Sequence, residues 1–151
     1  MESNSYRRMV GTINKVIVSL QRMGLAFGPT QLLTVRGRRT GQPRTFPLAV
    51  NELDGDRYLF QAFPKAAWVA NARAAGTVTL TRGRSVTQAR LVEVGVEERR
   101  PLLRRLVATS PASVGKRFVT TGLAGESTPD GVAAAAERIA VFRVEPLRVA
   151  A

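Results

Sequence analysis

The sequence contains no cysteine and no histidine in 151 residues. The absence of cysteine excludes a disulfide framework, a thiolate nucleophile and a cysteine-ligated metal. The absence of histidine removes the commonest general base, every Ser-His or Cys-His nucleophile pair and most transition-metal sites. If the protein is an enzyme, we therefore expect a bound organic cofactor to supply the chemistry and the polypeptide to supply orientation and electrostatics.

Acidic residues are few: 11 Asp and Glu stand against 23 Lys and Arg, which gives a formal net charge of +12. This excess of positive charge predicts an anionic partner. The carboxylates offer no obvious acid–base pair, since Glu52, Asp54 and Asp56 surround Gly55 in a pattern typical of a hairpin turn. Aromatic residues make up only 6% of the chain and no nucleic-acid motif is present, so a nucleic-acid partner is not expected.

Long apolar runs are also missing. Apolar side chains recur at three- and four-residue spacing between residues 6 and 23, with charged residues on the adjacent face, and this spacing predicts an amphipathic helix. Because charges interrupt the apolar run, we expect the segment to be neither a signal peptide nor a transmembrane span. Two interpretations of the helix stay open: it packs on a sheet, or it rests on an anionic membrane surface.

The rest of the sequence alternates strand-like and helix-like segments. Apolar, partly β-branched runs bounded by turn residues predict about six strands, at residues 31–35, 46–50, 57–62, 77–80, 86–94 and 140–144. Helices are predicted at residues 66–75, 97–108, 111–121 and 131–138, and Pro101 is expected to be tolerated only in the first turn of its helix. Mostly antiparallel hairpins with short helices indicate a mainly β fold with helices (α+β), arranged as a small closed or partly closed barrel.

Neither a G-x-G-x-x-G motif nor a P-loop is present, so the sequence does not support a Rossmann-type or P-loop nucleotide site. We expect an N-terminal amphipathic helix and lead-in at residues 1–28, followed by a single barrel domain at residues 29–148.

The most informative segment is the turn from Gly37 to Arg44, which places Arg38, Arg39 and Arg44 between two strand-like runs. A guanidinium pairs bidentately with phosphate or carboxylate, and a charge-assisted hydrogen bond contributes roughly 1.5 to 3 kcal/mol. Three such groups in one turn predict a polyanionic ligand.

The motifs around this turn resemble those of a known family. The segment from Leu32 to Leu48 reads LLTVRGRRTGQPRTFPL, and it is followed by GDRYL at residues 55–59 and WVANARAAG at residues 68–76. This ordered combination resembles the deazaflavin-dependent nitroreductase family, and it is most similar to the actinobacterial branch thought to act on lipid-like substrates and to associate with membranes. The resemblance covers residues 10–147 and implies a flavin-reductase-like split β-barrel.

The resemblance also implies a bound coenzyme F420, whose tail carries a phosphodiester and glutamate carboxylates; FMN is the alternative cofactor. The implied cofactor-binding residues are Arg38, Arg39, Thr40, Gly41, Arg44, Pro47, Lys65, Ala66, Trp68 and Asn71. Among them the arginines and Thr40 would hold the tail, Pro47 would lie beside the deazaflavin, and Trp68 and Asn71 would help to close the ring site. Alternatively, the arginines are merely solvated and Trp68 is a core residue. No catalytic residue and no metal ligand is assigned.

The implied function is hydride transfer from reduced deazaflavin to an apolar acceptor: a quinone, an enone or an unsaturated lipid-like molecule. Where relatives carry a glycine before the tryptophan, this chain has Phe63-Pro64-Lys65-Ala66-Ala67. That departure leaves a noncatalytic F420-binding or carrier protein as one alternative, and a basic membrane-surface binding protein is another. We expect a cytoplasmic protein, with peripheral contact at the inner face of the plasma membrane as an option, and the oligomeric state is open.

Overall fold

The computed structural model describes residues 30–147, so the amphipathic helix predicted at residues 6–23 lies outside the described residues. The described chain forms two compact units. The first unit contains residues 30–50, 70–91 and 145–147, and the second contains residues 51–69 and 92–144.

Between residues 30 and 147 the chain forms seven strands and four helices. The strands are β1 (Thr30–Arg36), β2 (Pro43–Ala49), β3 (Asn51–Leu53), β4 (Asp56–Phe60), β5 (Thr77–Arg82), β6 (Ser85–Glu93) and β7 (Val141–Pro146). The helices are α1 (Ala67–Ala75), α2 (Val96–Thr109), α3 (Ala112–Thr120) and α4 (Pro129–Ala134). The strand pairs with a defined register are antiparallel, which confirms the predicted α+β class.

The prediction of about six strands missed β3. Residues 51–53 form a strand in which Glu52 lies opposite Arg57, whereas the sequence pattern had assigned Glu52 to the turn. The turn itself is only Asp54 and Gly55, with φ angles of +53° and +86°. Two positive φ angles in a two-residue loop match the twist of antiparallel strands, so pairing extends almost to the turn.

The first unit contains the strand order β2-β1-β5-β6. Leu33 lies opposite Leu80 in the register of β1 and β5, and these side chains are 0% and 2% exposed. Successive side chains of a strand point to opposite faces, so Thr34, Arg36 and Thr79 lie on the other face of this sheet. The first unit therefore has one apolar and one largely polar sheet face.

The second unit contains the strand order β7-β4-β3 together with α2, α3 and α4. Its core includes Tyr58, Phe60, Leu103, Leu106, Phe118, Ile139 and Val141. Tyr58 and Phe60 lie on one face of β4, as predicted, with their ring centroids 6.2 Å apart. Among the described residues no helix is long and apolar enough to cross a membrane.

A buried arginine holds several segments of the second unit together. Arg99 of α2 donates to the carbonyl of Val94 at 2.7 Å, to the carbonyl of Ala136 at 3.1 Å and to Glu93 Oε2 at 3.0 Å. Burying a charge is costly unless it is paired and hydrogen-bonded, and these partners meet that requirement. The arginine therefore connects the end of β6 to the segment after α4.

Two predicted helix features were wrong in detail. Pro101 was expected to be tolerated only in the first turn of its helix, but α2 begins at Val96 and contains the proline in its interior. An interior proline costs about 3 kcal/mol, and burial of Leu103 and Leu106 on the same helix offsets that cost. The last helix was predicted at residues 131–138; α4 instead begins at Pro129, because the Thr128 hydroxyl caps it by accepting the N–H of Gly131 at 3.0 Å.

Candidate functional site

The arginine turn, residues 37–44, consists of the loop at residues 37–42 that joins β1 to β2 and the first two residues of β2. Its own backbone holds it closed. The N–H of Gly37 donates to the carbonyl of Gln42 at 2.7 Å, and the N–H of Gly41 donates to the carbonyl of Gly37 at 2.9 Å. Gly41 has a φ of +72°, a left-handed conformation that glycine adopts without steric cost. The Thr40 hydroxyl also accepts the N–H of Gln42, at 3.2 Å. The turn is thus closed before any ligand binds.

One residue of α1 fixes the orientation of this turn. Asn71 is only 3% exposed, and its Oδ1 accepts both the backbone N–H of Arg38 at 3.1 Å and the guanidinium Nη1 at 2.8 Å. A hydrogen bond from a charged donor is stronger than a neutral one. The structure therefore brings together two residues of the predicted set, Arg38 and Asn71, that lie 33 positions apart in the sequence.

The arginine side chains of the turn have no acidic neighbour to satisfy them. Arg38, Arg39 and Arg44 are exposed, and among residues 30–147 no ion pair involves them. The described part of the first unit contains eight arginines and a single acidic residue, Glu145, a formal charge of +7. Such a surface attracts anions and leaves the guanidinium groups of the turn free to bind them.

The other predicted site residues lie in separate surroundings. Pro47 is an exposed residue of β2 opposite Leu32. In the second unit Lys65 is exposed and has a φ of +55°, Ala66 is half-buried, and Trp68 is 4% exposed with its ring centroid 5.5 Å from that of Phe142. Trp68 therefore packs in the core of its unit, and its predicted role at the ring site stays a prediction.

Groups that could exchange a proton are sparse. Among the described residues no cluster of acidic side chains could hold a metal ion. Tyr58 is 8% exposed, and burial, followed by the nearby carboxylate of Asp56, raises the pKa of its hydroxyl above the ordinary value. At neutral pH this hydroxyl keeps its proton, and the side chain packs in the core of the second unit.

Sequence reasoning missed a second group of polar residues in the first unit. Thr34 and Arg36 of β1 share a sheet face with Thr77 and Thr79 of β5 and with Gln88 of β6. The signal was present as polar residues at every second position, since strand side chains alternate between faces. Their assembly into one concave surface depends on strand register, which the sequence alone does not specify.

Comparison with known proteins shows the family to which the chain belongs. A family model described as F420H(2)-dependent quinone reductase matches residues 2–123. A solved structure of an F420-H2 dependent reductase is 25% identical, with a TM-score of 0.53 over 78% of this chain and 94% of that chain. A search of curated proteins gives no match.

Two other solved structures share the fold alone. A protein of unknown function from Agrobacterium tumefaciens is 15% identical, with a TM-score of 0.53 over 79% of this chain, which spans only 48% of that protein's length. A conserved hypothetical protein from Mycobacterium tuberculosis is 18% identical, with a TM-score of 0.51 over 82% of this chain and 76% of that chain. The antiparallel pairing and these matches confirm the predicted flavin-reductase-like split-barrel class. The chain belongs to the F420H2-dependent quinone reductase family, whose members are oxidoreductases that use the deazaflavin F420.

Proposed function

We propose that this chain is a reductase that takes a hydride from reduced F420 and delivers it to an apolar acceptor of the quinone, enone or unsaturated lipid-like class. The observation that carries the proposal is the arginine turn. Its exposed guanidinium groups have no carboxylate partner among the described residues, and one of them is held in place by the buried Asn71.

The donor set of the turn fits the tail of F420, which carries a phosphodiester and carboxylates. Arg39 and Arg44 offer two guanidinium forks, and Arg38 offers the guanidinium nitrogens that Asn71 does not use. No acidic residue occurs from residue 30 to residue 50, so an anionic tail would meet no like charge from this segment. Arginine is suited to such ligands because its planar fork matches the geometry of phosphate and carboxylate.

When bound, reduced F420 supplies the hydride, so the chain needs neither histidine nor cysteine for the transfer. In this proposal the turn binds and orients the tail, and Asn71 keeps Arg38 in position. Pro47, Lys65, Ala66 and Trp68 are assigned to the ring site by resemblance to the family alone, and hydride transfer there would require a water-poor setting.

The test is a titration of F420 followed by Trp68 fluorescence, with FMN titrated beside it. We expect the double variant R39A/R44A to bind F420 at least tenfold more weakly, because each lost charge-assisted contact removes roughly 1.5 to 3 kcal/mol. The matched control is R82A/R84A, which removes the same charge from the exposed end of β5 and the turn that follows it in the same unit. Equal affinity of the two double variants for F420 would contradict the assigned site. Tighter binding of FMN than of F420 to the wild type would contradict F420 as the cofactor.

A second measurement separates an enzyme from a carrier. The family resembled usually carries a glycine in the segment before the tryptophan, whereas residues 63–67 contain none and the backbone at Lys65 has a positive φ. This departure is the reason for the alternative of a noncatalytic F420-binding protein. Oxidation of reduced F420 is followed by absorbance in the presence of quinones, enones and nitro compounds. Turnover with an apolar quinone or enone supports the reductase, whereas tight binding without turnover across the panel favours the carrier.

Peripheral contact with an anionic membrane is a further part of the proposal, in keeping with the similarity to the lipid-active, membrane-associated branch. The support is the net charge of +12 and the basic amphipathic pattern at residues 6–23. Flotation with anionic liposomes compares the full chain with a variant lacking residues 1–24. We expect the truncation to reduce binding, and undiminished flotation would exclude this segment as the membrane contact.

A further inference from the structure

A cavity of about 420 Å³ opens on the polar sheet face of the first unit, next to the arginine turn but not formed by its arginines. The polar side chains that line it are Thr34, Arg36, Gln42, Thr77, Thr79 and Gln88. Its volume lies within the range of small-molecule sites in proteins. The residues predicted to hold the coenzyme contribute only Gly41 to this lining, so the cavity is a separate feature of the unit.

The cavity lies where two neighbouring strands separate. Pairing between β1 and β5 ends at Thr34 and Thr79, although β1 continues to Arg36 and β5 begins at Thr77. Beyond this point each strand pairs with its other neighbour, Arg36 with Pro43 of β2 and Thr77 with β6. The cavity therefore lies beside the segments of β1 and β5 that do not pair with each other.

The remaining wall comes from the end of the described chain. The N–H of Leu147 donates to the carbonyl of Gln88 at 3.0 Å, which holds Leu147 against β6 beside the cavity. Thr34 is buried and its hydroxyl lies 2.9 Å from that of Thr45, so one hydroxyl of the lining is already positioned by a neighbour. The site is therefore bordered by residues of four strands (β1, β2, β5 and β6), by the loop between β1 and β2, and by Leu147.

The chemistry of the lining favours an anion. The cavity presents one guanidinium, three hydroxyls and two side-chain amides, and its lining contains no carboxylate. Among residues 30–147 no ion pair involves Arg36. A single guanidinium surrounded by neutral donors suits a ligand with several carboxylates. One carboxylate would pair with the guanidinium, and the others would accept hydrogen bonds from the hydroxyls and amides.

We propose that this cavity binds a small molecule or cofactor tail that carries carboxylate groups, with Arg36 as its charged contact. Two sources share this chemistry: the glutamate end of the F420 tail, and a separate small acid. The first rests on the proposed function, and it is reasonable because Gly41 and Gln42 belong both to the arginine turn and to the cavity wall. A tail held by the turn at its phosphodiester would thus have a second polar surface close along the same loop.

The experiment measures binding to the wild type and to Arg36→Gln, with Arg84→Gln as the charge-matched control from the exposed β5–β6 turn. The probes are F420 with several glutamates, F420 without glutamates, and a free γ-linked triglutamate studied by calorimetry. Thr77→Val, at another exposed lining position, is the second variant, and thermal unfolding verifies that each variant is folded.

If the cavity binds the tail, Arg36→Gln weakens binding of glutamylated F420 about tenfold and leaves the glutamate-free form unchanged. If it binds a separate acid, the variant weakens triglutamate binding by a similar factor, while the affinity for F420 does not depend on the number of glutamates. Both results support the site.

Equal affinities of wild type, Arg36→Gln and Thr77→Val for all three probes would overturn it. If no form of F420 binds but triglutamate still binds and Arg36→Gln weakens it, the proposed function is contradicted. The assignment of the cavity would still hold in that case.

Discussion

At the scale of single residues, the sequence motif located Asn71, but only the structure shows what its side chain does. The W-x-x-N pattern marks the position in the sequence, and the helix α1 predicted there is present. The structure adds that the amide oxygen accepts two hydrogen bonds from Arg38 in a buried setting. The asparagine therefore acts on the arginine turn by holding Arg38.

Replacing Asn71 with Leu is expected to lower the free energy of unfolding by about 1 to 3 kcal/mol, because the N–H and guanidinium of Arg38 lose a buried acceptor. Urea denaturation followed by far-UV circular dichroism measures the change. Asn71→Asp is the control, since it retains the accepting oxygen and should lose less stability. Equal losses in the two variants would show that the acceptor is not what stabilises the turn.

At the scale of elements, the approach of α3 to the following loop depends on one glycine. Gly115 is buried, and a Cβ at this position would collide with the backbone carbonyl oxygen of Ser127. Backbone cannot move aside as a flexible side chain can, so the helix and the loop at residues 125–128 fit only while residue 115 has no side chain.

We expect Gly115→Ala to lower the free energy of unfolding by about 1 to 3 kcal/mol, as overpacking in a dense interior does. Chemical denaturation provides the measurement. Gly125→Ala in the adjoining loop is the matched control, because a Cβ there meets nothing within 4 Å and its φ is not positive. A stability of Gly115→Ala equal to that of the control would contradict the close approach.

At the scale of the whole molecule, positive charge is unevenly divided. The described part of the first unit has eight arginines and one acidic residue, whereas the second unit has ten basic and nine acidic residues, a formal charge of +1. Four ion pairs between described residues lie in the second unit, where carboxylates neutralise nearby arginines. The excess charge is therefore concentrated in the unit that contains the arginine turn.

Binding of F420 should consequently weaken with ionic strength. Raising NaCl from about 0.1 M to about 1 M shortens the Debye length from about 10 Å to about 3 Å, which screens exposed arginines from an anionic tail. Fluorescence titration across this range should show Kd rising several-fold. The deazaflavin chromophore without its tail is the control and should show little change; a salt-independent Kd for F420 would argue against binding through the tail.

Much of the fold was accessible from local patterns. The β1–β2 hairpin, the arginine turn and helix α1 were predicted because strand alternation, glycine and proline positions act within a few residues of each other. The strand β3 was missed because its three residues are too few to show a pattern. Pro101 was misplaced because a local rule assigned it to a helix start, while distant packing of α2 permits it inside.

By itself the sequence determined the excess of arginine, the absence of histidine and cysteine, the motif that indicates an F420-dependent family and the alternation of polar and apolar strand positions. Only the tertiary structure decided that Asn71 holds Arg38, that Arg99 is buried among carbonyl oxygens, and that β1 and β5 part beside Arg36. The physical reason is that composition and periodicity are local properties. Some of these hydrogen bonds join residues 33 to 40 positions apart, and they form only when the chain packs. The point at which two strands stop pairing is likewise set by packing.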